Sequence, residues 1–470
     1  MTTAWQAEPV AHVVVVGAGI AGLAAAHALS RRAPGLRVTL IEASDRTGGK
    51  LRGSDVAGVR VDEGAESVLV RVPEGVDLLR EAGLGDEIVH PATTRAALWS
   101  RGSLLPLPSG TVMGVPGDLA SLESSGVLSK SGLARLALDV VLPRTPIGDD
   151  VSVGSYVAAR LGREVVDRLV DPLLGGVYAG RADGLSFEAT LPQLAPLART
   201  HRSLLRAARL SRASATRSDG PVFASVPGGL GRFAEVLTDV VRAQGADVVT
   251  GRTARRMDAV PGAGWRLTVG PTTDETTVEA DAVLLATPAA PTARLLTDVA
   301  PAAAEALEGI DHASMAIVTL AFEPGPELPA LSGWLVPAVE GRLVKAVTLM
   351  SRKWPGVTSD VVLVRCSVGR FGDVADLQRT DAELVDGCRA DLAEMLGFAG
   401  VLLDSRVSRW GGGLPQYAVG HRARVALVRA AVAELPALAV CGAAYDGIGI
   451  PACIRSAQAA VDLLLPELVG

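Results

Sequence analysis

Two short stretches near the start of the chain could hold phosphate groups. The first is Gly17-Ala18-Gly19-Ile20-Ala21-Gly22. Its three glycines have separate tasks: Gly17 permits a tight turn, Gly19 lets backbone approach a pyrophosphate, and Gly22 lets a helix pack close to a strand. A helix that starts there offers free N–H groups and the positive end of its dipole to phosphates. Glu42, twenty residues after Gly22, stands where a carboxylate accepts hydrogen bonds from ribose hydroxyls. The second stretch is Arg46-Thr47-Gly48-Gly49-Lys50, a Gly-Gly pair flanked by cations. It suits close backbone approach to a further set of phosphate oxygens, and equally a solvated surface turn.

These residues need an element order that positions them, and the sequence supplies it. Residues 13–16 are a continuous β-branched apolar run, as in a parallel strand buried on both faces. Residues 23–29 are helix-forming, Pro34-Gly35 turns the chain, and 38–41 form a second buried strand ending at Glu42. This β-α-β unit fixes a parallel sheet with a right-handed crossover. It predicts a dinucleotide site without separating NAD from FAD.

The rest of the chain reads as a mixed α/β protein of two or three units, as expected for 470 residues. Residues 92–200, rich in Leu, Ala, Ser and Arg, carry helical spacing at 131–142 and 153–169 and read as a helical insertion. Residues 207–219 are small, polar and basic, and read as a mobile linker. Strands are expected at 222–226, 247–250, 265–269, 282–286, 316–322, 361–367 and 437–441. Helices are expected from Pro227-Gly228-Gly229 to about 244, over 381–396, and over 453–465.

Composition excludes several classes. The net charge of −6 lacks the basic footprint of a nucleic-acid binder. Four scattered cysteines and six histidines form no CxxC or HExxH spacing, so neither a metal site nor a disulfide framework is indicated. The first ten residues lack a basic region before an apolar core, so no signal peptide is expected, and no uninterrupted apolar stretch is long enough for a transmembrane helix. A cytoplasmic protein, at most peripheral to a membrane, is the expectation.

Four further segments add to the two phosphate motifs. They are Asp62-Glu63-Gly64-Ala65-Glu66-Ser67; Asp171-Pro172-Leu173-Leu174-Gly175-Gly176-Val177-Tyr178-Ala179-Gly180; Trp410 with Leu414-Pro415-Gln416-Tyr417; and Gly442-Ala443-Ala444-Tyr445-Asp446-Gly447-Ile448-Gly449-Ile450-Pro451-Ala452-Cys453-Ile454. With these, almost the whole chain resembles the protoporphyrinogen/coproporphyrinogen oxidase family of the flavin amine-oxidase-like superfamily. The resemblance implies a discontinuous Rossmann-like FAD domain (1–88, 217–292, 409–470), a mixed-sheet substrate domain (89–97, 201–216, 293–408) and a helical domain (98–200).

It further implies non-covalent FAD, molecular oxygen as acceptor and a porphyrinogen substrate. The implied cofactor residues are those of 17–22, Glu42 and Ala43, Arg46, Gly49 and Lys50, then Gly64, Ala65, Glu66 and Ser67. Ala254, Trp410, Ile448, Gly449 and Ile450 complete them. Arg71 and Gly175 are the implied substrate contacts, Arg71 as a guanidinium for a propionate. A ferrochelatase is a possible partner. One departure is Ala452, where many relatives carry an acid. The mixed polarity of 92–200 favours coproporphyrinogen III, with four propionates, over protoporphyrinogen IX, with two.

Flavin carries the chemistry of such a reaction, so no side chain is nominated as acid or base. Asp62, Glu66, Tyr178 and His201 show no partner in sequence. Rival readings are an amine or carotenoid flavoenzyme, a non-catalytic flavin- or porphyrin-binding module, and a nicotinamide-dependent dehydrogenase. With four tyrosines in the chain, an aromatic cage for an amine is not favoured.

Overall fold

A computed structural model describes residues 10–214, 220–262, 264–325, 328–357, 360–397 and 400–468. Strand β1 (His12–Val16), helix α1 (Ile20–Arg32) and strand β2 (Arg37–Ile41) form the expected unit. They sit in a five-stranded, wholly parallel sheet ordered Asp247–Val249, β2, β1, Ala282–Leu285, Leu438–Val440. The unbroken apolar run of β1 follows from its position at the centre. Val13 and Val15 enter the core shared with α1 and the C-terminal helix Ile450–Leu468. Val14 and Val16 enter an opposite core with Trp265, Leu295 and Val428. Both faces are covered, so no polar alternation is tolerated.

The second layer is a mixed seven-stranded sheet. Its order is Leu402–Pro415, His312–Phe322, Val362–Val368, Val344–Leu349, Gly333–Leu335, Ala96–Ser100, Ser103–Pro106. Only the Gly333–Leu335/Ala96–Ser100 pair is parallel. One face, with Val318, Leu320, Val347, Val364 and Cys366, packs on helix Asp381–Leu396. That helix begins with a capping box between Thr380 and Glu383, which satisfies two of its orphan donors.

The third layer is helical and has its own core around Val157, Leu169, Leu174 and Phe187. Residues 98–118 form strands and a short hairpin, and helices run from Leu119–Ser125 onward. The stretch read as a linker from 207 is instead helix Leu204–Ser214 up to residue 214; residues 215–219 lie outside the described residues. Its buried face is Leu204, Leu205, Ala207, Ala208 and Ser211. Alanine and serine on the inward face hide the amphipathic pattern from a hydropathy reading.

Among the described residues, no helix is long and apolar enough to cross a membrane, and no His/Cys/Asp/Glu group could hold a metal ion. All four cysteines are buried thiols.

Candidate cofactor cleft

The cleft opens at the carboxyl edge of the parallel sheet, where ligands of such sheets bind. Gly17 has φ +100°, and its amide donates to the Ile41 carbonyl at 2.7 Å. A side chain at Gly22 would overlap the Gly17 carbonyl oxygen, so strand and helix meet only with glycine there. At Gly19 an added Cβ would face open space, with nothing within 4 Å. The space beside Gly19, at the N-terminus of α1, is therefore open.

The second glycine pair lies directly on the first motif. Gly48 donates to the Ala18 carbonyl at 2.8 Å, and a Cβ on Gly49 would come within 3.1 Å of the Gly19 Cα. Arg46 braces this turn: its guanidinium donates to the Thr47 carbonyl at 3.1 Å and the Gly49 carbonyl at 2.9 Å. Lys50 makes no hydrogen bond or ion pair among the described residues. It is reached by solvent yet ringed by protein, and that partial desolvation draws its pKa down.

Glu42 accepts the Ala18 amide at 2.8 Å with one oxygen and the Ser44 amide at 2.9 Å with the other. Its carboxylate thus holds the mouth of the loop and keeps lone pairs in hand. The Arg252 amide donates to the Glu42 carbonyl and the Gly251 amide to the Ser44 carbonyl. These bonds carry the start of strand Ala254–Val260 alongside Glu42 and the exposed Ala43.

The far end of the cleft is built on residues 62–67. Asp62 accepts the Leu230 amide at 3.0 Å and the Gly231 amide at 2.8 Å, and so caps helix Gly229–Ala243. Burial pushes its pKa up to about 6. Gly64 is pressed between the Lys50 carbonyl and the Trp410 ring, whose Cζ2 a Cβ would meet at 3.4 Å. Trp410 Nε1 donates to the Glu63 carbonyl at 2.8 Å. Ala65 is exposed and Ser67 half-buried.

Glu66 pairs with Lys353, and with Arg365 at 3.2 Å; Arg365 also donates to the Gly64 carbonyl. Burial raises the Glu66 pKa, but Lys353 and Arg365 outweigh it and leave the carboxyl below its ordinary value. Neither cation was legible in sequence, because Arg365 comes from strand Val362–Val368 of the seven-stranded sheet and Lys353 from the end of the short helix Met350–Lys353. His312, on the long strand His312–Phe322, has a pKa lowered first by burial, and further by nearby Lys50.

The C-terminal loop closes the same cleft. After strand Leu438–Val440, Gly442 (φ +118°) and Gly447 (φ +140°) turn the chain into helix Ile450–Leu468, which packs beside α1. Gly449 is exposed, Ile448 half-buried and Ile450 buried. On the substrate side, Gly175 is buried within helix Asp171–Tyr178, while the neighbouring Gly176 and Val177 are exposed. Arg71 is exposed and has no partner among the described residues. The half-buried His201 bonds through its ring to Thr200 at 2.9 Å and through its amide to the Leu197 carbonyl.

The family model for flavin containing amine oxidoreductases matches residues 20–465. The chain belongs to this family. It is 40% identical over 460 residues to a coproporphyrinogen III oxidase of Mycobacterium bovis, covering 97% of each chain. It is 32% identical to one of Bacillus subtilis, covering 97% of this chain and 98% of that one. A solved structure from Exiguobacterium sp. 255-15, provisionally named a protoporphyrinogen oxidase, aligns with a TM-score of 0.84 at 31% identity, over 97% of this chain and 99% of that one. Membership decides between the two dinucleotides: the cofactor is FAD. The open space at Gly19, the unpaired Lys50 and the small residues Ala65 and Ser67 beside Gly64 fit it. With the sheets and helical layer already described, the fold class is that of a Rossmann-like FAD domain joined to a mixed-sheet domain and a helical insertion.

Proposed function

We propose that the protein oxidises coproporphyrinogen III to coproporphyrin III in haem biosynthesis. The observation that carries this reading is likeness over 97% of the chain to proteins named for that activity, together with a cleft built for FAD. The substrate loses six electrons and six protons. Three molecules of oxygen take them up as three of hydrogen peroxide. FAD, when bound, supplies the hydride acceptor.

The chain's residues supply position and electrostatics. The open space at Gly19 and the start of α1 receive the pyrophosphate, and Glu42 the ribose. Arg71 and the helix around Gly175 receive the substrate, with Arg71 pairing to a propionate. Residues 98–200 would act as a domain over the substrate, with strands at its start and helices from Leu119 onward. Peripheral association with a membrane and transfer of product to a ferrochelatase belong to the same proposal. Protoporphyrinogen IX is the second substrate reading, favoured by a Bos taurus protoporphyrinogen oxidase that is 29% identical.

The test is oxygen-dependent growth of porphyrin fluorescence with FAD-loaded protein. No growth with either porphyrinogen would leave a binding module, not an enzyme. Arg71→Ala should raise KM for the four-propionate substrate, and an unchanged KM removes Arg71 from the site.

A further inference from the structure

The segment Leu414-Pro415-Gln416-Tyr417 runs from the end of strand Leu402–Pro415 toward helix His421–Ala433. Tyr417 is almost fully buried, 2% exposed, and its hydroxyl makes two short bonds. It donates to the Ala443 carbonyl at 2.7 Å and accepts the Gly447 amide at 2.7 Å. One oxygen thus pins both flanks of the loop that leads into helix Ile450–Leu468. That loop needs pinning. Gly447 holds φ +140°, and a Cβ there would come within 2.8 Å of the Ala452 Cβ.

The ring is fixed as firmly as the hydroxyl. It stacks on His421 with centroids 3.8 Å apart and leans on Tyr178 at 5.5 Å. The backbone beside it is tied to the helical layer. The Ser186 amide donates to the Tyr417 carbonyl at 2.7 Å, and Gln416 Nε2 donates to the Tyr178 carbonyl at 2.8 Å. Burial pushes the phenol pKa well up, so the hydroxyl keeps the proton that it donates to Ala443. A ring needed only to fill space would serve as well without the hydroxyl.

We propose that Tyr417 is a positioning residue: it sets residues 442–450, and with them the N-terminus of the last helix, against the flavin, using the helical layer as its abutment. The proposal rests on FAD occupying the cleft, and not on which porphyrinogen is oxidised. A helix N-terminus held at the flavin's pyrimidine edge favours the anionic reduced form over the oxidised one. Letting it drift weakens binding of the reduced form most.

The test is Tyr417→Phe, which keeps both ring contacts and removes both hydroxyl bonds. Three quantities are read without porphyrinogen: FAD affinity, midpoint potential of the bound flavin, and stability of the apoprotein. The loss of a buried hydrogen-bonded group predicts an FAD Kd raised about tenfold. A further tenfold loss specific to reduced flavin would lower the potential by about 30 mV for the two-electron couple. In turnover, kcat should fall more than KM moves. A less stable apoprotein with unchanged FAD Kd and potential would overturn the proposal, since that is all a structural role demands.

Should Tyr417→Phe fail to fold, Gly447→Ala strains the same loop with Tyr417 intact. It should lower the potential in the same direction, and an unchanged potential would overturn the proposal. Protein that folds yet takes up no FAD in wild-type form would instead count against the cofactor reading.

Discussion

Glu66, in the loop between Asp62 and Val68, is tied to Arg365 of the seven-stranded sheet and to Lys353 at the end of helix Met350–Lys353, and removing its charge should be costly. It is matched by Lys353 and Arg365, whose side chains are 14% and 11% exposed, against 13% for Glu66 itself. In Glu66→Gln the shape remains, but two cations face each other with no anion between them. Removing one partner of a buried pair typically costs about 3–5 kcal/mol. The slight exposure of all three groups shifts the expectation down from that range, to about 2–4 kcal/mol. The assay is urea denaturation of FAD-saturated protein, repeated for Lys353→Met and the double variant. A coupling energy of about 1–3 kcal/mol is expected. The effect also has a pH sign. The Glu66 pKa is lowered on folding, so its contribution is fully present above its ordinary value of 4.5 and is lost as pH falls through the folded value. The gap between wild type and variant should therefore narrow below about pH 4.5. A single-variant loss under about 0.5 kcal/mol, or strict additivity in the cycle, would refute the reasoning.

Two further perturbations follow from the same cleft. Asp62 titrates in the opposite sense: burial lifts it from 3.8 to about 6, so the native state holds the extra proton, and stability falls as pH rises through that interval. Asp62→Asn lacks this term, so the wild type should lose up to about 3 kcal/mol relative to the variant between pH 4 and 7, and a pH-independent difference would contradict it. Lys50→Met removes an unpaired cation from the cleft and should raise the FAD Kd roughly tenfold or more, with Lys50→Arg partly restoring it. Unchanged quenching of flavin fluorescence on titration would remove Lys50 from the cofactor site.

What the sequence disclosed, and what it hid, follows from how far apart partners lie. The unit from β1 to β2 was legible because burial on both faces forces an unbroken apolar run, and because Gly17 and Gly22 admit no side chain. Helix Asp381–Leu396 was legible through its heptad-like apolar spacing. Helix Leu204–Ser214 was not, since its inward face uses alanine and serine. The contact of Gly48 and Gly49 with the first glycine loop was not legible, since the Gly-Gly pair read only as a phosphate-facing or surface turn. The partners of Glu66 were invisible: Lys353, at the end of a short helix, and Arg365, on a strand of the seven-stranded sheet, lie 287 and 299 residues away, and a lone Lys or Arg carries no mark of its partner. Tyr417 was hidden for the same reason, because its two loop bonds span 26 and 30 residues across separate elements.

The central claim is the substrate, and one comparison reaches it directly. FAD-loaded protein is given coproporphyrinogen III and protoporphyrinogen IX separately, under oxygen, and kcat/KM is measured for each from porphyrin fluorescence. The account predicts a clear preference for coproporphyrinogen III, weakened by Arg71→Ala. A higher kcat/KM for protoporphyrinogen IX would contradict it.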